Sequence, residues 1–188
     1  MGSPFKTYLR FRTSHTNDFS VGFTLEKDQG EQFAWNPKNK QYGSDFISAH
    51  AVLYNQGAFK AIAVGDYKIQ IGQGLILAGG FGFGKGSESI NTIRRSTLGI
   101  RPYSSVIEGN FFRGAAATYT TGKFDITSFY SSLPQDANIS SVGDTLTNQE
   151  DFISSIQITG FHRTPNEIAN KRQIKERALG GNVTYRSE

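Results

Sequence analysis

The glycine-rich run Gly79-Gly80-Phe81-Gly82-Phe83-Gly84-Lys85 has the G-x-x-x-x-G-K spacing of a phosphate-binding loop. In such a loop backbone N–H groups and the lysine cradle phosphates, and a Ser or Thr directly after the lysine holds magnesium. Here that position is Gly86, and Ser87 comes one residue late. The surrounding pattern reads as antiparallel strands rather than strand–helix–strand, and no acidic strand end accompanies it. Glycines are common where strands turn, so nucleotide binding is not expected. A second constellation is basic. Arg94, Arg95 and Arg101 fall in one loop with Asn91, Thr92 and Tyr103. Rings of Arg or Lys select anions in pores, so these residues could form an anion-attracting constriction. The plainer reading, and the favoured one, is a solvated loop, or a loop plug held by carboxylates such as Glu88 and Glu108. Arg10, Arg12, Lys60 and Lys68 lie on the polar faces of their strands. Inside a barrel they would line the lumen, and on a sandwich they would face water.

The remaining reactive residues form no catalytic set. Asp66 lies between Lys60 and Lys68 on one strand face, which suggests a salt-bridge ladder. His50 shares a strand face with Phe46, Val52 and Tyr54 and reads as a hydrogen-bonded structural histidine. His15, His50 and His162 show no metal-ligand spacing. The absence of Cys excludes disulfides and thiolate-bound zinc. No G-x-S-x-G nucleophile elbow occurs. Asn138-Ile139-Ser140 and Asn182-Val183-Thr184 match glycosylation acceptors, a short pattern that assigns no function by itself. No catalytic residue, metal or cofactor is therefore expected. The net charge of +4 permits contact with anions without demanding nucleic acid.

The elements that must position these residues show period-two alternation in hairpin after hairpin. Phe19, Val21, Phe23 and Leu25 alternate with Ser20, Gly22, Thr24 and Glu26. Leu9 and Phe11 interleave with Tyr8, Arg10 and Arg12 in the preceding strand. A polar loop, Lys27 to Ser44, follows. The second hairpin spans Phe46 to about Leu77 and turns at Asn55-Gln56-Gly57. Its second strand places Phe59, Ala61, Ala63, Tyr67, Ile69 and Ile71 on one face. The third hairpin runs from Phe111 to Ser131 with its turn at Thr120–Lys123. A loop is expected from Leu133 to Glu150. The fourth pair is Phe152 to Phe161 with Ile174 to Tyr185, and Leu179, Val183 and Tyr185 share one face of the latter. One short loop helix is expected from Pro165 to about Lys171: Thr164 caps it, Pro165 suits its first position, and Glu167 completes a capping box. The fold class is thus all-β, an antiparallel meander of about eight strands in one domain, 1–188. Turns are short and the loops between hairpins long, as in an outer-membrane barrel. No apolar run reaches the ~20 residues of a membrane helix.

Several segments together resemble the C-terminal region of bacterial helix-hairpin-helix domain-containing (competence-type) proteins. They are Tyr8–Arg12, Gly65-Asp66-Tyr67 with Gly72–Leu75, Arg94–Tyr103, Phe111–Ala116 and His162–Glu167. The resemblance implies a large outer-membrane barrel that follows a small helix-hairpin-helix module. The module, which is the part suggesting DNA, is not in this sequence, so nucleic acid is not an expected partner. The resemblance assigns no activity to any residue.

The expected function is an outer-membrane β-barrel, or part of one: a pore, scaffold or transport component of the bacterial envelope. Its partners would be outer-membrane lipid and other envelope proteins. The alternative is a soluble β-sandwich or half-barrel binding module; an enzyme acting on envelope polymers is weaker. Met1-Gly2-Ser3 reads as a cloning scar, and the chain as a fragment of a longer barrel. Such a fragment should close into a small barrel or pair edge strands with a second copy. Tyr8, Tyr54, Tyr67, Tyr119, Tyr130 and Tyr185 are the candidates for aromatic girdles.

Overall fold

The computed structural model describes residues 2–37, 41–72, 74, 76–77, 97–142, 150–157 and 159–187. Gly79–Lys85, Arg94 and Arg95 lie outside them. The strands are β1 (Thr7–His15), β2 (Phe19–Lys27), β3 (Ala34–Asn36), β4 (Gln41–Gly43), β5 (Phe46–Gln56), β6 (Phe59–Gln70), β7 (Gly99–Pro102), β8 (Phe112–Thr121), β9 (Phe124–Val142), β10 (Glu150–Gln157) and β11 (Ile174–Tyr185). One short helix, α1 (Pro165–Ala169), carries the expected reciprocal capping box of Thr164 and Glu167. The fold is all-β. Nine strands form one antiparallel sheet in the order β1-β2-β5-β6-β8-β9-β10, with β7 on β6 and β11 on β9; β3 and β4 form a separate hairpin.

Three expectations change. β6 stops at Gln70 rather than near Leu77. The expected loop from Leu133 is largely strand, because β9 runs on to Val142. The expected fourth pair does not pair with itself. β10 and β11 instead take consecutive stretches of β9: Gln157 pairs with Asp136 and Ile174 with Gln135. Residues 159–173 are therefore an excursion between two strands that share one partner. Pro134 is tolerated in β9 because β8 stops pairing at Ser131. Beyond that point one flank of β9 lacks this neighbour, as on an edge strand where a missing N–H is cheap.

The sheet is not closed. Six antiparallel steps lead from β1 through β2, β5, β6, β8 and β9 to β11, so the two edge strands run the same way. Edge-on-edge antiparallel closure is thereby ruled out. The sheet nevertheless curls enough that residues of both β1 and β11 line one cavity.

The two faces are inverted relative to a water-soluble sheet. Leu9, Phe11, Val21, Phe23, Ile47, Leu53, Val64, Ile126, Tyr130, Leu179 and Val183 are exposed. Ser20, Thr24, Ser48, Thr118, Thr127 and Ser131 are buried on the other face. The registers Leu9↔Leu25, Phe11↔Phe23, Thr24↔Ser48 and Thr118↔Thr127 carry each row across the strands. Against this inner face packs β7: Ile100 joins Val52, Ala61, Ala63, Tyr67, Ile69, Ala116 and Phe129 in the main apolar cluster. Gly65, at φ 94°, lets β5 and β6 approach closely: a Cβ there would sit 2.3 Å from the Ala49 carbonyl oxygen.

Candidate functional site

The inner face holds two polar sites, one at each end of the sheet. At the end with the tight turns after β1, β5 and β8 is a cavity of about 530 Å³. Arg12, Lys60, Arg101 and Arg186 line it, with Tyr54, Asn17, Asn55, Thr118, Thr127, Asn182 and Thr184. Asp125 is the one carboxylate in the described lining. It accepts from Lys60 at 3.2 Å, Arg186 at 2.8 Å and the Thr120 hydroxyl at 2.7 Å.

Of the candidate site residues, Arg12, Lys60 and Arg101 are brought together here. Lys60 arrives by a β-bulge: Phe59 pairs with Tyr119 and Ala61 with Thr118, which leaves Lys60 as the extra residue. The same bulge separates Phe59 from the face of Ala61, correcting the expected single row. Arg10 instead stacks over the Tyr8 ring at 5.2 Å, and Lys68 lies over the Tyr103 ring at 5.2 Å. The expected salt-bridge ladder of Asp66 with Lys60 and Lys68 is also corrected. Asp66 accepts Arg113 Nε at 2.6 Å and Nη2 at 2.8 Å, a two-pronged pair between β6 and β8. The ladder misled because same-strand spacing says nothing of the cross-strand partner, and register places Arg113 directly opposite. His50 is buried and hydrogen-bonded, with its Nε2 3.1 Å from the Ser20 hydroxyl. Sequence reasoning missed Asp125 and Arg186. Both sit on inward positions of alternating strands, or just past one, and that pattern was the available signal.

At the long-loop end lies a buried ionic knot. His162 faces Asp45 at 2.5 Å through Nδ1 and Asp136 at 2.7 Å through Nε2. Its backbone N–H donates to Glu31 at 2.9 Å. The Lys171 ammonium donates to the other oxygen of Asp45. Asp136 also accepts the Arg172 backbone N–H at 2.7 Å. Burial works against a charged His162, but the hydrogen bonds it donates to Asp136 and Asp45 win and raise it to about 9. Burial alone would raise Asp45, yet His162 and Lys171 hold it below the usual carboxylate range. Burial, reinforced by the charge of Asp45, pushes Glu108 up to about 8 and also raises Glu31.

Two triplets in the knot have the ligand types and closeness for a metal ion: Glu31, Asp45, His162 and Glu108, Asp136, His162. The knot instead supplies its own cations, since both His162 nitrogens face carboxylates and Lys171 takes Asp45. An imidazolium so held has no lone pair with which to accept a proton, so His162 is poorly suited as a general base. What the arrangement does is tie residues 159–173 to β9 and to Asp45, just before β5. Among the described residues no helix is long and apolar enough to cross a membrane. No family model, curated protein or solved structure matches the chain.

Proposed function

We propose that the chain forms part of the wall of a bacterial outer-membrane β-barrel with a polar interior, serving as a pore, scaffold or transport component. The observation that carries this reading is the inverted sheet. Leu179 is 82% and Val64 58% exposed, while Ser20 and Ser48 are each 2% exposed. Water would drive these rows the other way, because burying hydroxyls in place of aliphatic side chains forfeits the hydrophobic term. Lipid favours the observed arrangement, with apolar side chains out and polar ones in. Strands β5, β6, β8 and β11 are 11, 12, 10 and 12 residues long, against the ~9–11 a tilted membrane strand needs. Phe59–Tyr119 and Phe124–Tyr185 ring pairs, each at 5.3 Å, gather at the tight-turn end like one aromatic girdle. Tyr67 and Tyr54 turn inward and belong to no girdle.

A soluble sandwich would cover the apolar face with a second sheet. Among the described residues the second sheet is only β3–β4, three residues a strand. If the wall closes antiparallel, the strands lying between β11 and β1 are odd in number, whatever segment or copy supplies them. The resemblance to barrels of helix-hairpin-helix domain-containing proteins agrees with this reading.

The native sequence has no Cys, so single labelling sites are simple to introduce. Bimane on Val64→Cys should be quenched by brominated acyl chains after reconstitution into phosphatidylcholine vesicles. Bimane on Thr118→Cys should not be. Equal quenching at both sites, or failure of the chain to float with the vesicles, would count against the membrane reading.

A further inference from the structure

The cavity at the tight-turn end is unbalanced in charge. Four basic side chains line it, and Asp125 is the only acidic one among the described residues. That carboxylate is already engaged by Lys60, Arg186 and Thr120. Neither Arg12 nor Arg101 makes an ion pair among the described residues. Arg101 spends its Nε on the Leu98 carbonyl oxygen at 3.3 Å and also hydrogen-bonds the Tyr54 hydroxyl. Arg12 lies within electrostatic reach of the same hydroxyl. Two guanidinium groups thus line the same cavity as one phenol from different elements, Arg12 from edge strand β1 and Arg101 from β7, which packs on the inner face. Keeping like charges close without a counter-ion is unfavourable, and a planar guanidinium presents paired N–H donors that match the oxygens of a carboxylate or phosphate. Around them the wall offers Asn17, Asn55, Asn182 and Thr184, which both donate and accept. A volume near 530 Å³ is in the range of cavities that hold small organic molecules.

We propose that Arg12, Arg101 and Tyr54 form a binding site for a small hydroxylated organic oxyanion, a phosphate monoester or a carboxylate, within this cavity. The guanidinium groups and the phenol bind the oxyanion, and the amides and hydroxyls of the wall take the solute's hydroxyl groups. The site rests on reading the cavity as a barrel interior, where it names the class of solute the interior takes up. Binding itself is measurable without a membrane.

The test is calorimetry on the detergent-solubilised chain with glucose 6-phosphate, gluconate and glucose as probes. The two anions distinguish phosphate from carboxylate, and neutral glucose reports on the hydroxyl contacts alone. One or both anions should bind one to one, at least tenfold more tightly than glucose. The Arg12→Gln/Arg101→Gln variant should lose tenfold or more, and Tyr54→Phe, which keeps every charge, should lose a smaller factor. Lys175→Gln/Arg177→Gln removes the same charge outside the cavity and should bind as the native chain does. Circular dichroism confirms that each variant keeps its strand content, and Tyr54→Phe carries the test if the double arginine variant does not fold. Absence of anion binding at millimolar concentration overturns the proposal, as does equal loss in the lysine–arginine control. Binding that persists while lipid quenching fails leaves the site and removes the membrane; quenching without binding does the reverse.

Discussion

Val64→Arg separates a lipid-facing wall from a soluble sheet by its size in two solvents. Val64 lies in β6, on the apolar face and 58% exposed. It is roughly five residues from Phe59 at the tight-turn end, or about 16 Å along the strand at ~3.3 Å per residue. With strands tilted ~35–45°, that is roughly 12 Å of height, near the middle of an apolar band ~25 Å tall. An arginine at the midplane of such a band costs about 2–4 kcal/mol, whereas one at the interface costs about 0–1 kcal/mol. Tyr185, opposite Phe124 next to the 122–123 turn, is the interfacial comparison. In water, an exposed position without special contacts changes stability by about 0.5 kcal/mol or less. Guanidinium unfolding in phosphatidylcholine vesicles, followed by circular dichroism, should therefore rank Val64→Arg well below Tyr185→Arg. The same pair should be nearly indistinguishable in detergent-free buffer. Equal costs in vesicles would refute the reasoning, because no depth-dependent medium would then cover this face.

The ionic knot makes stability fall as pH rises. His162 is raised from 6.5 to about 9, so its contribution is complete below pH 6.5 and is lost as pH climbs through 9. Glu108 is raised from 4.5 to about 8, so its native neutral form costs stability progressively between those values. Denaturant midpoints measured from pH 5 to 10 should decline, His162→Gln should flatten the upper part, and Glu108→Gln should flatten the lower part; a midpoint that rises with pH contradicts this. Gly65→Ala should destabilise by about 1–3 kcal/mol, from the positive φ alone, and by more because its Cβ meets the Ala49 carbonyl; an unchanged melting curve would show that β5 and β6 part without cost. Asp66→Asn should lower stability by less than the ~3–5 kcal/mol of a fully buried broken pair, because the Arg113 side chain is 33% exposed. Arg113→Lys, which keeps the charge but loses the fork, should recover only part of the native value in the same unfolding assay.

The strands and their two faces were legible in the sequence because alternation is a local property. Side chains two residues apart point the same way whatever the partner strand is, so Phe19, Val21, Phe23 and Leu25 declare one face on their own. Turns were legible for a similar reason: Asn17 and Asn55 adopt φ 59° and 53°, and Gly57 and Gly122 60° and 54°, conformations these residue types tolerate. The capping box of α1 spans only four residues and was equally plain. Pairing was not legible. That β10 and β11 both choose β9, and that Asp66 meets Arg113 rather than its own-strand lysines, depends on register across distant segments. The cavity cluster needed a bulge at Lys60 and the return of β7 onto the inner face. The knot joins Glu31, Asp45, Glu108, Asp136, His162 and Lys171, which share no motif and no neighbourhood in the chain. Burial makes these groups partners, since where water is excluded a carboxyl group needs a cation beside it or keeps its proton.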